Sequence, residues 1–350
     1  MATPLRIRPQ GPFSLAAAIR FQQGFAPADY KNNGGAAPKA APACSTAVTG
    51  SGPQDFESLR FAFALDDEWT PAGALVHPDP EATDGRVLVE PYGEGDPEAV
   101  RKQAARILSL DVDGSSFPAV GERDEIVGRL QGLYPGLRPV CFNSPYEAAA
   151  WAVIGHRIRI VQAASIRTRI ARKYGTPVDV GGLEVPAFPS PQTLLALPEV
   201  PGLPSVKSER LHAVSRAALD GELDPAVLRS LDPGDALQRL CKISGIGPFS
   251  AELILIRGAG HPDHFASQER RLHASMSEAY GVDATDTAAL HRIASAWSPY
   301  RSWVALLFRT DRENTTHEIS RGRQAPSASA HQPDGQRTVR TAVPTQLRIG

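Results

Sequence analysis

The run KISGIGPFSAELILIRGAG at positions 242–260 constrains the fold of this chain more than any other stretch. Two glycines flank Ile246, Pro248 follows, and an apolar sequence with helical spacing comes next. Glycine permits a sharp turn, and proline presets φ for the first turn of a helix. The sequence therefore predicts two helices joined by a tight turn whose amide groups are left uncovered.

An anion is the natural partner of such a turn. Free N–H groups and the helix dipole both favour negative charge there, and the missing side chains let a phosphate come close. We take Gly245, Ile246 and Gly247, with Ser250 beside them, as candidate phosphate-binding residues. The alternative is an ordinary turn between packed helices, which Gly-x-Gly fits equally well. The turn also exposes carbonyl groups that could hold a structural ion.

Bulk composition excludes several classes of protein. The 350 residues, 42% hydrophobic and 21% charged, allow two domains with a substantial core. No run approaches the roughly 18 apolar residues of a membrane span, so no membrane partner is expected. Three scattered cysteines without C-x-x-C spacing argue against a disulfide framework or a zinc site and suit the cytoplasm. We see no metal-ligand cluster and no nucleotide-cofactor fingerprint, so we expect neither a metal nor a cofactor.

The charge of the chain is unevenly distributed. Residues 1–140 carry 13 Lys and Arg against 18 Asp and Glu, whereas residues 141–310 carry 18 against 16. Such a mild basic excess permits binding to nucleic acid without indicating it.

The first 115 residues predict a small α+β domain. Alternating LRFAFAL (59–65) and RVLVEPY (86–92) are typical of strands, and residues 97–110 of an amphipathic helix. The buried face of that helix should carry Val100, Ala104, Ile107 and Leu108. Residues 31–55 are rich in Gly, Ala, Pro and Ser and predict a long loop.

Helix follows helix from about residue 116 to 313, with the hairpin at 235–258. Residues 144–175 predict the longest helix, with Ser144 as its N-cap and Glu147 at capping-box spacing. Residues 314–350 lack a sustained apolar period and predict a disordered tail. The expected architecture is therefore α+β: a sheet-plus-helix domain, then an all-α bundle carrying the hairpin.

The wider pattern L-x-x-I-x-G-I-G-P-F-S-A resembles the helix-hairpin-helix motif of the DNA glycosylase superfamily. Four further stretches resemble landmarks of the bacterial 3-methyladenine-DNA glycosylase II family in the right order: residues 11–27, 106–117, 145–158 and 297–309. The resemblance implies a monomer that grips double-stranded DNA containing damaged bases. It also implies flipping of an alkylated or otherwise damaged purine and hydrolysis of its N-glycosidic bond in base excision repair.

The same resemblance points to a catalytic carboxylate. The family has an aspartate four residues after the position of Phe265, and this chain has Glu269 there. A carboxylate stabilises the oxocarbenium-like sugar that forms as the base departs. The alternative is a surface acid in the first turn of a helix, where acids are favoured.

Other implied site residues depart from the family pattern. Phe249 stands where strand-cutting relatives carry a lysine nucleophile, so any activity should be monofunctional. Phe249, Leu253 and Arg309 would line the base pocket, the last two replacing aromatic residues. His156 and Arg157 would form the wedge that fills the gap left by the flipped nucleotide. The alternatives are core packing for Phe249, a solvated helix end for Arg309, and for the wedge pair helix packing and a basic face.

Three hypotheses follow. The leading one is a monofunctional DNA glycosylase. The second is a catalytically weak or inactive relative that binds damaged or distorted DNA without excision, motivated by the altered carboxylate and the loss of aromatic residues. The third is a helical scaffold for other proteins in which the hairpin only packs.

Overall fold

The computed structural model describes residues 3–24 and 58–317. The predicted loop at 31–55 and the part of the predicted tail from residue 318 lie outside these residues. The described chain contains a small antiparallel sheet and a larger helical region, which confirms the α+β class. None of its helices is both long and apolar enough to cross a membrane.

A four-stranded antiparallel sheet forms the N-terminal part, in the order β1-β4-β3-β2. Its strands are β1 (Leu5–Ile7), β2 (Leu59–Ala64), β3 (Pro71–Pro78) and β4 (Val87–Gly93). The predictions for β2 and β4 are confirmed. The central strand β3 escaped prediction, because it is buried on both faces and its apolar residues do not alternate with polar ones.

Two helices cover this sheet: α1 (Leu15–Gly24) and α2 (Pro97–Ile107). Asp96 caps α2 by accepting a hydrogen bond from the Ala99 amide at 3.0 Å. All four residues predicted for its buried face are fully buried, namely Val100, Ala104, Ile107 and Leu108. The predicted amphipathic face is confirmed.

Twelve helices follow among the described residues: α3 (Pro118–Arg123), α4 (Glu125–Leu133), α5 (Pro145–Gly155), α6 (Ile160–Tyr174), α7 (Pro191–Leu195), α8 (Ser205–Leu219), α9 (Pro225–Ser230), α10 (Pro233–Cys241), α11 (Pro248–Leu253), α12 (Arg270–Tyr280), α13 (Thr287–Ser295) and α14 (Arg301–Thr316). A π-helical turn, Ile254–Gly258, continues α11. Residues 314–316, assigned to the tail by the sequence pattern, form the last turn of α14.

The helical region is not all helix, contrary to the sequence expectation. A two-stranded hairpin, β5 (Pro177–Asp179) and β6 (Glu184–Pro186), lies between α6 and α7. Val178 and Val180 pack against Ala62 of the main sheet in a small buried cluster. Each strand is too short for alternation to reveal it, and its apolar residues are buried by a segment distant in sequence.

The long helix predicted at 144–175 is also wrong, because the chain breaks after α5. Ser144 caps α5 as expected, since its hydroxyl accepts from the Glu147 amide at 3.0 Å. The break follows at residues 156–159, where Arg157 adopts a left-handed backbone with φ of 57°. Buried Lys207 donates to the carbonyls of Ile154 and His156 at 2.7 and 2.8 Å. These bonds satisfy groups that a continuous helix would have paired internally.

Two hydrophobic cores make up the helical region. One contains residues of α5, α6, α8, α10 and α11, and the other contains residues of α3, α4, α12, α13 and α14. The chain segment from α11 to α12 passes from one core to the other. This arrangement leaves a cleft lined by residues of both cores and of α1.

Candidate functional site

The predicted glycine turn joins α10 to α11. Ile243 and Ile246 are buried at 6% and 5% exposure and anchor the turn in the first core. Gly245, between them, and Gly247, directly after Ile246, are exposed. The turn therefore presents bare backbone outward while its apolar side chains hold it in place.

The amides of this turn differ in availability. The Ile246 amide donates to the Ile243 carbonyl at 3.0 Å, so it is already engaged inside the turn. This corrects the expectation that Ile246 supplies a free donor. The amides of Gly245 and Gly247 donate to no carbonyl or side chain in the described chain. Ser250 lies within α11 and is partly buried.

The two glycines are required for different reasons. Gly245 has φ of 92°, and a Cβ there would lie 2.7 Å from Cδ of Arg210. Gly247 has φ of −98°, which any residue adopts, and a Cβ there would meet nothing within 4 Å. The fold demands glycine at 245 but not at 247. No contact within the described chain therefore requires the absence of a side chain at position 247.

Arg210 of α8 places positive charge directly at this turn. Its aliphatic stem lies against Gly245. Desolvation lowers the pKa of His156, and the charges of Arg157, Arg210 and Lys207 lower it further. The turn and the break after α5 thus share one basic surface.

A cleft of about 560 Å³ lies between the two cores. It brings together four of the predicted site residues: Phe249, Leu253, Glu269 and Arg309. These come from α11, from the start of α12 and from α14, and are separated by up to 60 positions in sequence.

Phe249 is 51% exposed, so it is not a core residue and its ring faces the cleft opening. Leu253, one helical turn later, packs on the first core with one side and lines the cleft with the other. Together they form an apolar wall on which a planar group could lie.

Glu269 stands at the N-cap of α12. One carboxylate oxygen accepts from the Arg271 amide at 3.1 Å, and the other lies 3.7 Å from Nε of Arg309. The side chain is 26% exposed, toward the cleft. Glu269 is therefore both a helix cap and a carboxylate that lines the cleft.

Arg309 is not at a solvated helix end. Its side chain is 21% exposed, and it extends from α14 toward Glu269. At 3.7 Å the two side chains form an ion pair without a hydrogen bond between these atoms.

Glu252 is a functional candidate that the sequence analysis missed. It is buried in α11 and accepts hydrogen bonds from the Ser267 hydroxyl at 2.6 Å, the Ser267 amide at 3.0 Å and the Gln268 amide at 2.9 Å. Burial raises the pKa of Glu252, but the His264 imidazole 3.5 Å away and these donors outweigh it and hold the pKa below its usual range. Its position one helical turn from Phe249 was the available signal.

The cleft is also more aromatic than the sequence suggested. Phe21 of α1, Tyr134 after α4 and Trp151 of α5 line it alongside Phe249. These three residues come from segments other than α11 and α14. Positions 253 and 309 lack the expected aromatic residues, but rings from these other segments line the cleft instead. Trp151 lay within a family-like stretch and could have been noticed.

The predicted wedge residues lie outside the cleft but next to it. His156 and Arg157 are exposed in the break between α5 and α6. Trp151 of α5 and Ile160 of α6, on either side of the break, both line the cleft. Exposure of His156 excludes the alternative that it packs between helices.

Asp263 braces the loop before α12. It accepts from Nε of Arg301 at 2.7 Å, from the Arg301 amide at 3.2 Å and from the Ser298 hydroxyl at 2.8 Å. No three His, Cys, Asp or Glu side chains within residues 3–24 and 58–317 come together as a metal site would require.

No family model matches the chain. Two sequence relatives are the DNA-3-methyladenine glycosylase 2 of Escherichia coli and the DNA-3-methyladenine glycosylase of Bacillus subtilis. The first is 30% identical over 51% of this chain and 62% of its own length. The second is 24% identical over 59% of this chain and 70% of its own length. The chain thus spans less than two thirds of the first relative.

Solved structures show which proteins share the fold of this chain. The 3-methyladenine DNA-glycosylase of Archaeoglobus fulgidus superposes with a TM-score of 0.67 at 20% identity, over 89% of this chain and 99% of that one. The 8-oxoguanine glycosylase/lyase of Clostridium acetobutylicum, bound to double-stranded DNA, gives 0.52 at 18% identity, over 69% and 86%.

The chain therefore shares its fold with these two DNA glycosylases of solved structure. Its sequence is similar to those of DNA-3-methyladenine glycosylases, which confirms the resemblance seen in the sequence motifs.

Proposed function

We propose that the protein is a monofunctional DNA glycosylase that flips a damaged purine out of double-stranded DNA and hydrolyses its N-glycosidic bond. The observation that carries this proposal is the position of Glu269. Its carboxylate shares one cleft with the exposed ring of Phe249 and with Leu253. A base held on that wall would place its sugar near a negative charge.

DNA would approach along the basic surface beside the cleft. The free amides of Gly245 and Gly247 would receive a phosphate, with Arg210 adding attraction next to them. Phosphate contacts of this kind position a duplex without reading its sequence. The bareness of Gly247, which the fold does not require, is explained by this role.

Arg157 would enter the gap left by the flipped nucleotide. It is exposed, next to the cleft, and held in a left-handed conformation by the break after α5. A guanidinium can stack on neighbouring bases and donate to the orphan base. His156 would support it from the same turn.

Glu269 would stabilise the positive charge that develops on the sugar as the base departs, or orient the attacking water. Among the described residues that line the cleft there is no lysine, so a Schiff-base intermediate has no nucleophile from them. Hydrolysis alone, without strand cleavage, would follow. Monomeric action in the cytoplasm is part of the same proposal.

The second candidate is a protein that binds damaged DNA without excising the base. The ion pair between Glu269 and Arg309 favours it, because a guanidinium beside the carboxylate opposes the positive charge that develops on the sugar. DNA binding would then persist through the glycine turn.

The experiment that separates the two is base release from methylated duplex DNA by the natural protein, Glu269→Ala and Glu269→Asp. Release that disappears in the alanine variant supports excision with Glu269 as the carboxylate. No release by any of the three, on alkylated, deaminated and oxidised purines, with DNA binding retained, supports the second candidate. Cleavage of the DNA strand without added alkali would contradict the monofunctional assignment.

A further inference from the structure

The charges around the cleft are unbalanced. Four arginines line it against three glutamates: Arg20, Arg257, Arg271 and Arg309, with Glu252, Glu269 and Glu313. A ligand entering the cleft therefore meets a lining with an excess of positive charge.

The carboxylates of Glu252 and Glu269 are already engaged by the protein. Both oxygens of Glu252 accept hydrogen bonds from the loop at 267–268. Glu269 caps the Arg271 amide with one oxygen and faces Arg309 with the other. A cationic ligand would have to compete with these groups for negative charge.

One aromatic ring of the cleft, that of Phe21, also has a partner within the protein. The guanidinium of Arg257 lies 5.0 Å from the ring centroid of Phe21, and one of its nitrogens donates to the Val140 carbonyl. Burial lowers the pKa of Arg257 to about 10. The ring thus already stacks on a cation of the protein, and that cation is poorly solvated.

Damaged purines fall into two charge classes. Alkylation at N3 or N7 of a nucleoside in DNA leaves the ring with a positive charge. Deamination, oxidation or bridging of exocyclic nitrogens leaves it neutral and adds or keeps hydrogen-bond acceptors. A cationic ring would be repelled by Arg257 and Arg309, whereas an acceptor on a neutral ring could receive a hydrogen bond from an arginine.

We propose, on the basis of the base-binding role assigned above, that this cleft selects neutral damaged purines over cationic ones and that Arg309 sets the preference. Arg309 is suited to this role because it lines the same cleft as Phe249 and Leu253 and places its guanidinium 3.7 Å from the Glu269 carboxylate. It acts as a specificity residue through its charge.

A binding measurement tests this independently of excision. Two probes differ by one methyl group and one charge: neutral 9-methyladenine and the 3,9-dimethyladeninium cation. Their affinities for the full chain at pH 7.5 are compared by ligand-observed NMR titration. We expect the neutral base to bind about tenfold more tightly.

The variant Arg309→Met removes the charge while keeping an apolar stem of similar length. It should reduce the preference to near unity or reverse it. Arg312→Met is the matched control, because Arg312 lies on the same helix, pairs with Glu278 at 3.0 Å and does not line the cleft. The control should keep the natural preference.

Tighter binding of the cation by the natural protein overturns the proposal, as does a ratio that Arg309→Met leaves unchanged, or failure of both bases to bind. Release rates from duplexes carrying 7-methylguanine or hypoxanthine should show the same order. If no duplex releases a base, the proposed excision fails, while the binding ratio still decides the charge preference.

Discussion

Glu252 holds the backbone of Ser267, two residues before Glu269. One carboxylate oxygen of Glu252 accepts hydrogen bonds from the amide and the hydroxyl of Ser267, at 3.0 and 2.6 Å. The second oxygen accepts a hydrogen bond from the Gln268 amide. A buried side chain of α11 therefore fixes the loop that delivers Glu269 to the cleft. Because α11 also carries Phe249, one helix positions both the wall for the base and the carboxylate for the sugar.

Replacing Glu252 with glutamine should loosen this loop. The amide group cannot accept at both positions, so at least one of the three donors loses its partner. We expect a loss of about 2 kcal/mol in the free energy of unfolding, together with faster hydrogen exchange at the Ser267 and Gln268 amides. Exchange measured by NMR checks this, and unchanged protection at both amides would contradict the assigned role.

The same carboxylate should make stability depend on pH. The folded-state pKa of Glu252 lies below its unfolded value, so its contribution is complete above the ordinary glutamate pKa of about 4.5. The contribution is lost as pH falls through the lower folded-state pKa. Urea unfolding between pH 6 and pH 3 should therefore show a steeper acid loss in the natural protein than in Glu252→Gln. Parallel curves would show that Glu252 does not titrate with folding.

Glu269 should separate capping from chemistry. Aspartate is a better N-cap than glutamate, and alanine is a poor one. Glu269→Asp should therefore keep or slightly raise the melting temperature, and Glu269→Ala should cost about 0.5–1 kcal/mol. Base release should disappear in the alanine variant, although this small loss of stability leaves the protein folded. A release rate that merely follows the stability would reduce Glu269 to a cap.

The two hairpin glycines should respond oppositely. Gly245→Ala should cost about 1–2 kcal/mol of stability, because of its φ of 92° and the Arg210 stem. Gly247→Asp and Gly247→Asn should both fold normally, since both residues are favoured N-caps. Only the aspartate should weaken duplex binding, by about tenfold relative to asparagine, because it repels phosphate. Affinities for duplex DNA are measured by fluorescence anisotropy across a salt series. Equal affinities of the two variants would show that this turn does not bind a phosphate.

Arg157 should show opposite effects on stability and binding. Glycine removes the strain of a left-handed backbone, so Arg157→Gly should be more stable by about 1 kcal/mol. The preference of the protein for duplex with an abasic-site mimic over plain duplex should nevertheless fall. Arg159→Ala, an exposed neighbour, is the control and should keep that preference. An unchanged preference in Arg157→Gly would exclude the wedge role.

Much of this molecule follows from short-range patterns. The glycine turn, the cap at Ser144 and the buried face of α2 were predictable, because φ preferences, capping bonds and helical periodicity involve residues within four positions of one another. The same holds for the two strands in which apolar and polar residues alternate.

Other features depend on contacts between distant segments. The break after α5 requires Lys207, about 50 positions away, to reach its carbonyls. The pairing of Glu269 with Arg309 spans 40 positions, and the approach of Phe21 to Phe249 in the cleft spans 228. Local pattern carries no information on such distances, because packing of the two cores sets them. Phe249, Leu253, Glu269 and Arg309 could therefore be named from the sequence. Only the tertiary fold decided their partners and brought Phe21, Tyr134, Trp151 and Glu252 into the same cleft.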